Sequence, residues 1–169
     1  MRTAVIDSSP LIYLVHLELA KSLSQFFDVI YVPRTVQAEV NKKGRFRYSL
    51  NKLYRTTAIF RRCVVADKFN VHLHAGPGGT GLNEGEAEAI VQAQERGAKA
   101  LIVDEKLARK IGNRMGIKPV GTARILARLH LEGFADDPRR LIRKLRLDLE
   151  CRITDSVVEE AVARAHEPI

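Results

Sequence analysis

The sequence has little cysteine and no long apolar run. Cys63 and Cys151 are the only cysteines among its 169 residues, and they lie far apart. This spacing matches neither a disulfide framework nor a paired zinc motif, so we expect two reduced thiols. No apolar run approaches the roughly 20 residues of a transmembrane helix. Because Asp7 interrupts the first apolar run, we expect neither a signal nor a transit peptide, and we predict a cytoplasmic protein without a membrane span.

Two patterns that would bind a ligand are incomplete. His72 and His74 would share one face of a short edge strand predicted at residues 71–73, but no third metal ligand follows at a suitable spacing. Residues 76–81 supply the glycines of a phosphate-binding loop, whereas residues 82–83 are Leu-Asn where lysine and a hydroxyl residue are required. We therefore predict exposed histidines and a flexible, lid-like loop, and we exclude a nucleoside triphosphate site.

The positive charge is concentrated in one segment. The chain carries a net charge of +8, and residues 41–69 contain nine basic residues and one acid, which equals the entire excess. Aromatic residues are interleaved with these cations, a combination that predicts contact with a polyanion carrying stackable bases. The alternative is a solvated amphipathic helix, predicted at residues 49–66, whose aromatic side chains pack into the core; one helix could do both. The residues expected to bind nucleic acid are Lys42, Lys43, Arg45, Arg47, Arg55, Arg61 and Arg62.

Two strands are each followed directly by a carboxylate and a helix. Residues 3–6 form a short apolar run that ends at Asp7, and residues 100–103 end at Asp104. After Asp7, Ser8 or Ser9 could cap the next helix. A strand that continues directly into a helix brings its last residue to the carboxyl edge of a parallel sheet, where open α/β sheets bind ligands. The simpler alternative is that Asp7 only caps its helix.

Two glutamates are predicted to lie near the same edge. Glu39 belongs to a helix that begins near Pro33, directly after an apolar strand. Glu86 lies three residues after Asn83, which is a capping-box arrangement. It also shares the apolar face of its helix, so both a structural and a functional role remain open. Its neighbours Glu84 and Glu88 are predicted to be exposed to solvent.

The order of these elements predicts the fold. Strands alternate with helices along most of the chain, which indicates an α/β protein with a doubly wound parallel sheet of four to five strands. We assign residues 1–135 to one domain with a basic helical insertion at 41–69. Residues 136–169 are predicted to form a C-terminal helical extension packed on the same domain.

The four carboxylates suggest a metal-dependent reaction. A pair of like charges 4 Å apart repels by about 4 kcal/mol at an effective dielectric constant of 20. A cluster without a basic partner persists if a divalent cation neutralises it, and ligands that are all oxygen atoms suit Mg²⁺ or Mn²⁺. Next to a basic surface, such a metal favours phosphodiester hydrolysis.

Several of these stretches, in this order, resemble the PIN-domain nucleases, most closely the branch of VapC-like toxins and their uncharacterised relatives. The stretches are Val5-Ile6-Asp7-Ser8-Ser9-Pro10-Leu11-Ile12, Val32-Pro33 with Glu39, Gly85-Glu86-Ala87-Glu88-Ala89-Ile90, Leu101-Ile102-Val103-Asp104-Glu105 with Arg109, and Gly116-Ile117 leading to Val120-Gly121-Thr122. The likeness covers roughly residues 3–134 apart from the basic segment, and the closing helix at 153–165 is also similar. It implies an α/β/α sandwich and an endoribonuclease that depends on Mg²⁺ or Mn²⁺.

The resemblance also implies roles for individual residues. The acidic quartet is matched by Asp7, Glu39, Glu86 and Asp104, of which Asp7, Asp104 and Glu86 would bind the metal. The supporting residues are Ser8, Ser9, Glu105 and Thr122, with Ser8 or Ser9 matching a hydroxyl beside the metal. Two features depart from the family pattern: Glu86 stands where many members have aspartate, and the basic segment is unusual, so the RNA substrate cannot be carried over.

Several functions follow as expectations. The first is a ribonuclease toxin that forms a homodimer, with an antitoxin peptide blocking its acidic groove. The alternatives are an RNA-processing nuclease without an antitoxin and a nucleic-acid-binding protein on a PIN scaffold with weak or no cleavage.

Overall fold

The computed structural model describes residues 1–75 and 78–169, so the predicted loop at 76–81 lies partly outside the described residues. The strands are β1 (Thr3–Ile6), β2 (Val29–Pro33), β3 (Phe60–Cys63), β4 (Ala100–Ile102) and β5 (Lys118–Val120). The helices are α1 (Ser8–His16), α2 (Arg34–Lys42), α3 (Arg45–Thr56), α4 (Lys68–Ala75), α5 (Glu84–Glu95), α6 (Lys106–Arg114), α7 (Thr122–Leu131), α8 (Pro138–Leu149) and α9 (Asp155–Ala163), with a 3-10 helix at Ala20–Gln25.

The five strands form one parallel sheet in the order β3-β2-β1-β4-β5. The central strand β1 is buried along its whole length, as expected for a parallel strand covered on both faces. From β1, the strands β2 and β3 follow on one side of the sheet. The strands β4 and β5 then follow on the other side of β1. The strand order therefore reverses between β1 and β4, and ligands bind at such a reversal in open α/β sheets.

Helices cover both faces of the sheet. One face buries Ala4 and Ile6 of β1 under α1, α2, α3 and α7 to α9. The other face buries Val5 under α4, α5 and α6. Because successive strand residues point to opposite faces, adjacent residues of β1 belong to separate cores. The predicted α/β/α sandwich with a parallel sheet is confirmed.

The basic segment does not form the single helix predicted at residues 49–66. Helix α3 begins and ends earlier, and the extended backbone of Thr57 terminates it. The chain then forms β3, which pairs with β2 and buries Phe60 while Arg61 and Arg62 stay exposed. This pairing satisfies backbone groups along an edge of β2 that would otherwise lack partners.

The prediction of an edge strand at residues 71–73 is wrong. These residues belong to α4, which begins after Asp67, whose side chain accepts the Asn70 N–H at 3.0 Å. A helical rotation of about 100° per residue separates His72 from His74, so they do not share a face as they would on a strand.

The C-terminal helices pack against α7 and complete the first core. Ile142 and Leu145 of α8 and Val158 and Ala161 of α9 are buried in it. Val157 of α9, by contrast, is 38% exposed. The domain boundary at residue 135 stays a prediction. Within the described ranges, no helix has both the length and the apolar character needed to cross a bilayer.

Candidate active site

Asp7 and Asp104 lie where the strand order reverses. Asp7 directly follows β1, and Asp104 lies two residues after β4. The backbone N–H of Asp7 donates to the carbonyl oxygen of Ile102 at 2.9 Å, which joins the ends of the two strands. The two carboxylates that the sequence places at strand ends are thus at neighbouring strands in the crevice between β1 and β4.

Asp7 is a buried carboxyl group without a complete set of partners. It is 5% exposed, and its Oδ1 has no hydrogen-bond partner within the described part of the chain. Burial raises its pKa to about 7, and the charges of Glu86, Glu39 and Asp104 add to that shift while the backbone N–H of Ser8 opposes it. A buried acceptor left without a donor is rare in native proteins and requires an explanation.

Asp7 also does not serve as a helix cap. It occupies the N-cap position of α1, but its side chain makes no capping hydrogen bond, so the simpler alternative is wrong. Ser8 and Ser9 do not cap the helix either, since they already belong to its first turn. Helix α1 therefore begins directly after Asp7, with Ser8 and Ser9 in its first turn.

Asp104 is held in place by Thr122. The Thr122 backbone N–H donates to Asp104 Oδ1 at 2.7 Å, and the Thr122 hydroxyl donates to Oδ2 at 2.6 Å. Burial raises the pKa of Asp104, whereas these hydrogen bonds and the nearby charge of Arg109 lower it. Thr122, at the start of α7, thus supports the ionised carboxylate and fixes its orientation.

Glu86 has the structural role that the sequence indicates. Its backbone N–H donates to Asn83 Oδ1 at 2.8 Å, and its Oε2 accepts the Asn83 N–H at 3.0 Å, which completes the capping box of α5. The side chain is nevertheless buried, and burial raises its pKa, with Glu105 and Glu39 adding to the shift. Capping uses Oε2, and a role of Glu86 in the site would depend on Oε1.

Glu39 approaches Glu86 because residue 85 is glycine. A Cβ atom at Gly85 would lie 2.7 Å from Glu39 Oε1 and 3.3 Å from its Cδ. The carboxylate of Glu39 therefore lies against the first turn of α5. Gly85 is needed at this position for space, and no special backbone conformation is involved.

Glu88 is a residue that the sequence prediction misplaced. It was expected to be exposed, but it is 8% exposed, and its Oε2 accepts the Thr35 N–H at 2.8 Å. Pro33 precedes α2 and has no side-chain group to cap it, so Glu88 of α5 caps that helix instead. The contact ties the helix of Glu39 to the helix of Glu86. The sequence did contain a signal for the burial of Glu88: α5 is rich in small residues, which let the helix pack on all sides.

Glu105 lies at the rim of this cluster. It is the N-cap of α6, and its Oε2 accepts the Ala108 N–H at 2.9 Å. Its charge raises the pKa of Glu86, which places the two carboxylates in the same electrostatic field. The structure thus gives Glu105 a capping role and leaves its predicted supporting role open.

The acidic residues fit a loosely held divalent cation. Within residues 1–75 and 78–169, no three His, Cys, Asp or Glu side chains form a ready group of metal ligands. Mg²⁺, however, usually keeps several waters and binds through one or two protein carboxylates. Burial is the main cause of the raised pKa values of Asp7, Glu86 and Asp104, and the unpartnered Oδ1 of Asp7 is an oxygen atom that could bind such a cation.

The basic residues are exposed but distributed over three elements. Lys42 and Lys43 lie at the end of α2, Arg45, Arg47 and Arg55 on α3, and Arg61 and Arg62 on β3. Among the interleaved aromatics, Phe46 and Phe60 are buried, as the amphipathic alternative predicts, whereas Tyr48 is 76% exposed. Arg62 stacks over Tyr54 at 4.6 Å and donates to Asn51 at 3.2 Å. Only part of the aromatic set is therefore available to bases.

Comparisons with protein families and with solved structures gave matches. A family model described as "DUF3368: PIN domain" matches residues 3–167, which extends from β1 to beyond α9. No curated protein sequence matches the chain. Among solved structures, the crystal structure of VapC20 of Mycobacterium tuberculosis, a sarcin-ricin loop cleaving toxin, is 14% identical with a TM-score of 0.45. The alignment covers 63% of this chain and 94% of that one.

Proposed function

The chain belongs to the PIN-domain family, a family of nucleases, and from this membership we propose that it is a divalent-metal-dependent endoribonuclease. The observation that carries the proposal is the buried Oδ1 of Asp7, which has no partner within the described residues and lies at the reversal of strand order. The charges of three further acids act on this carboxyl group. A divalent cation bound at this point would give the carboxylate a partner.

We assign Asp7, Asp104 and Glu86 to the binding of Mg²⁺ or Mn²⁺, with Glu39 as the fourth acid. When bound, the metal would activate water and stabilise the charge on the leaving oxygen. Thr122 orients Asp104 through two hydrogen bonds. Burial and the neighbouring acids raise the pKa of Asp7 to about 7, and a bound cation would favour its ionised form. Ser8 and Ser9 supply hydroxyl groups at the same helix start.

The substrate we propose is RNA, bound through the exposed cations of the basic segment. The net charge of this segment equals the entire excess of the chain, and the segment lies outside the acidic cluster. A phosphate backbone attracted to these cations would bring its phosphodiester groups toward an acidic site that repels them without a metal. The charge distribution thus supports the proposed metal requirement, because a bound metal would remove the repulsion between the RNA backbone and the acidic site.

The test is RNA cleavage by the purified protein with and without Mn²⁺. Asp7→Asn should reduce the metal-dependent rate about a hundredfold or more, since even outer-shell partners of metal ligands contribute 10–100-fold. Glu86→Gln should also lose activity but keep its melting temperature, because glutamine can serve the capping box. Glu84→Gln is the matched control, an exposed glutamate on the same helix turn. Unchanged cleavage by pure Asp7→Asn would refute the assignment.

A nucleic-acid-binding protein with weak or no cleavage is the second candidate. The lack of a ready group of three metal ligands among the described residues favours it. A calorimetric titration with Mn²⁺ separates the two candidates. Saturable binding that disappears in Asp7→Asn supports the nuclease, and no measurable heat at millimolar Mn²⁺ supports the binding protein.

We further propose a toxin that forms a homodimer and is blocked by an antitoxin, and this rests on the sequence resemblance alone. A small open reading frame directly upstream should encode the antitoxin. Co-expression of its product should restore growth that this chain inhibits. If the chain is not toxic and no such reading frame exists, an RNA-processing nuclease is the better assignment.

A further inference from the structure

A cavity of about 580 Å³ opens beside Asp104, between the turn from β5 to α7 and the helix α9. One wall is apolar and consists of Val120, Ala123, Val157 and Ala161. Small-molecule sites in proteins typically occupy about 300–1,000 Å³, so the cavity has room for a nucleotide. It lies on the opposite side of the sheet centre from the basic edge strand β3.

Cations outnumber acids around this cavity by five to three. Arg164 neutralises Glu160 and Glu167, with N–O distances of 3.3 Å and 2.9 Å. Lys118 donates to the carbonyl oxygen of Pro168 at 2.9 Å. These contacts hold the C-terminal segment against the cavity and engage the cations on that side.

Two of the other lining cations, Lys106 and Arg109, form no ion pair within the described ranges of the chain. Arg109 lies at the mouth of the cavity. A Cβ atom at Gly121 would lie 3.1 Å from Arg109 Nη1 and 3.3 Å from Asp104 Oδ1. The guanidinium group and the Asp104 carboxylate therefore both lie beside Gly121, although they form no ion pair with each other. An anion bound by Arg109 would lie next to the acidic cluster.

One residue that lines the cavity carries a buried donor group without a partner in the described part of the chain. Arg124 lines the cavity and donates through Nη2 to the carbonyl oxygen of Glu167 at 2.6 Å. Its Nη1 is buried and has no acceptor in the described part of the chain. Buried donors are normally paired, and a carbonyl oxygen of a nucleobase that entered the cavity would supply the acceptor.

We propose that this cavity binds the nucleotide adjacent to the cleaved phosphodiester of a single-stranded RNA. The phosphate of that nucleotide contacts Arg109 and Lys106 at the mouth, and its base lies against the apolar wall within reach of Arg124. The proposal rests on the proposed function, because it identifies the nucleotide as the one next to the cleavage site from the position of Asp104 beside the cavity. An acidic peptide fits less well, since it offers the cations a carboxylate but brings no planar base to lie against the apolar wall.

Val157→Trp tests the proposal because it fills the cavity from the surface. Val157 is 38% exposed, so the larger side chain can enter the cavity without disturbing the core. Leu147→Trp is the matched control, an apolar residue of α8 that is 83% exposed and does not line the cavity. We expect Val157→Trp to raise KM for RNA about tenfold, which corresponds to about 1.4 kcal/mol, with kcat unchanged. Leu147→Trp should match the wild type.

An abasic scan along a substrate with one cleavage site shows whether a base occupies the cavity. In the wild type, removal of the base at one position flanking the cut should raise KM about tenfold. In Val157→Trp the same removal should have no further effect, because the base is already excluded. If base removal and Val157→Trp raised KM independently at every position, so that their effects multiplied, the proposal would be overturned. Equal KM values for Val157→Trp and Leu147→Trp would also overturn it.

Binding of nucleoside monophosphates, followed by NMR, separates this proposal from the proposed function. Shifts at Ala123 and Ala161 that disappear in Val157→Trp support the cavity even if the wild type does not cleave RNA, which would refute the nuclease alone. Cleavage by the wild type without any effect of Val157→Trp would refute the cavity alone. If monophosphates bind but Val157→Trp has no effect on RNA cleavage, the cavity binds free nucleotides. Its assignment to a nucleotide of the RNA substrate is then wrong.

Discussion

Replacing Asp7 by asparagine should stabilise the protein, and the gain should increase with pH. Burial, Glu86, Glu39 and Asp104 raise the pKa of the Asp7 carboxyl group to about 7 in the folded protein. In the unfolded chain this group has a pKa of about 3.9. Between these values the folded state binds more protons than the unfolded state, so the stability of the wild type falls as pH rises. Above pH 7 the loss is complete and constant.

The magnitude follows from the two pKa values. The raised pKa of Asp7 should lower the free energy of unfolding by about 1.5 kcal/mol at pH 5 and by about 4 kcal/mol at pH 8. Asparagine has no proton to lose and avoids this penalty. At roughly 2–4 °C per kcal/mol for a chain of this size, the advantage of Asp7→Asn in melting temperature should widen by about 5–10 °C over that range.

Thermal unfolding from pH 5 to pH 8 in a chelating buffer measures the effect. The control is Asp28→Asn, because Arg2 lowers the pKa of this exposed carboxyl group through hydrogen bonds and charge. That variant should be no more stable than the wild type. Added Mn²⁺ should stabilise the wild type, by binding the folded state, and not Asp7→Asn. Parallel pH curves for the wild type and Asp7→Asn would refute the reasoning.

Two further predictions concern the space around Glu39 and the basic segment. In Gly85→Ala, a methyl group 2.7 Å from Glu39 Oε1 must displace that carboxylate, so cleavage should fall at least about tenfold while helix stability is kept or improved by up to about 1 kcal/mol. Gly44→Ala, where a Cβ atom meets nothing within 4 Å, is the control, and equal activity of both variants would contradict the steric role. Replacing Arg61 and Arg62 with alanine should flatten the log–log salt dependence of RNA affinity by about 1 to 1.4, at about 0.7 per phosphate contact. An unchanged slope would mean that these arginines are only solvated.

Features with local signals could be predicted from the sequence. Asp7 and Asp104 were placed at one sheet edge because each ends an apolar run that continues directly into a helix. The capping box of Asn83 and Glu86 was predicted because both partners lie within one helical turn. In each case a few neighbouring residues determine the backbone, and parallel topology then brings the strand ends together.

Features that depend on distant partners were decided only by the tertiary structure. Residues 60–63 form a strand because β2 presents an open edge to them, although their own sequence was compatible with a helix. Glu88 is buried because α2 begins above it with an N–H that needs an acceptor. The sequence by itself thus determined where the chain turns from strand to helix and which strand ends carry acids. Packing decided which glutamates are buried and how closely they approach, because burial and pKa depend on groups that are far apart in the chain.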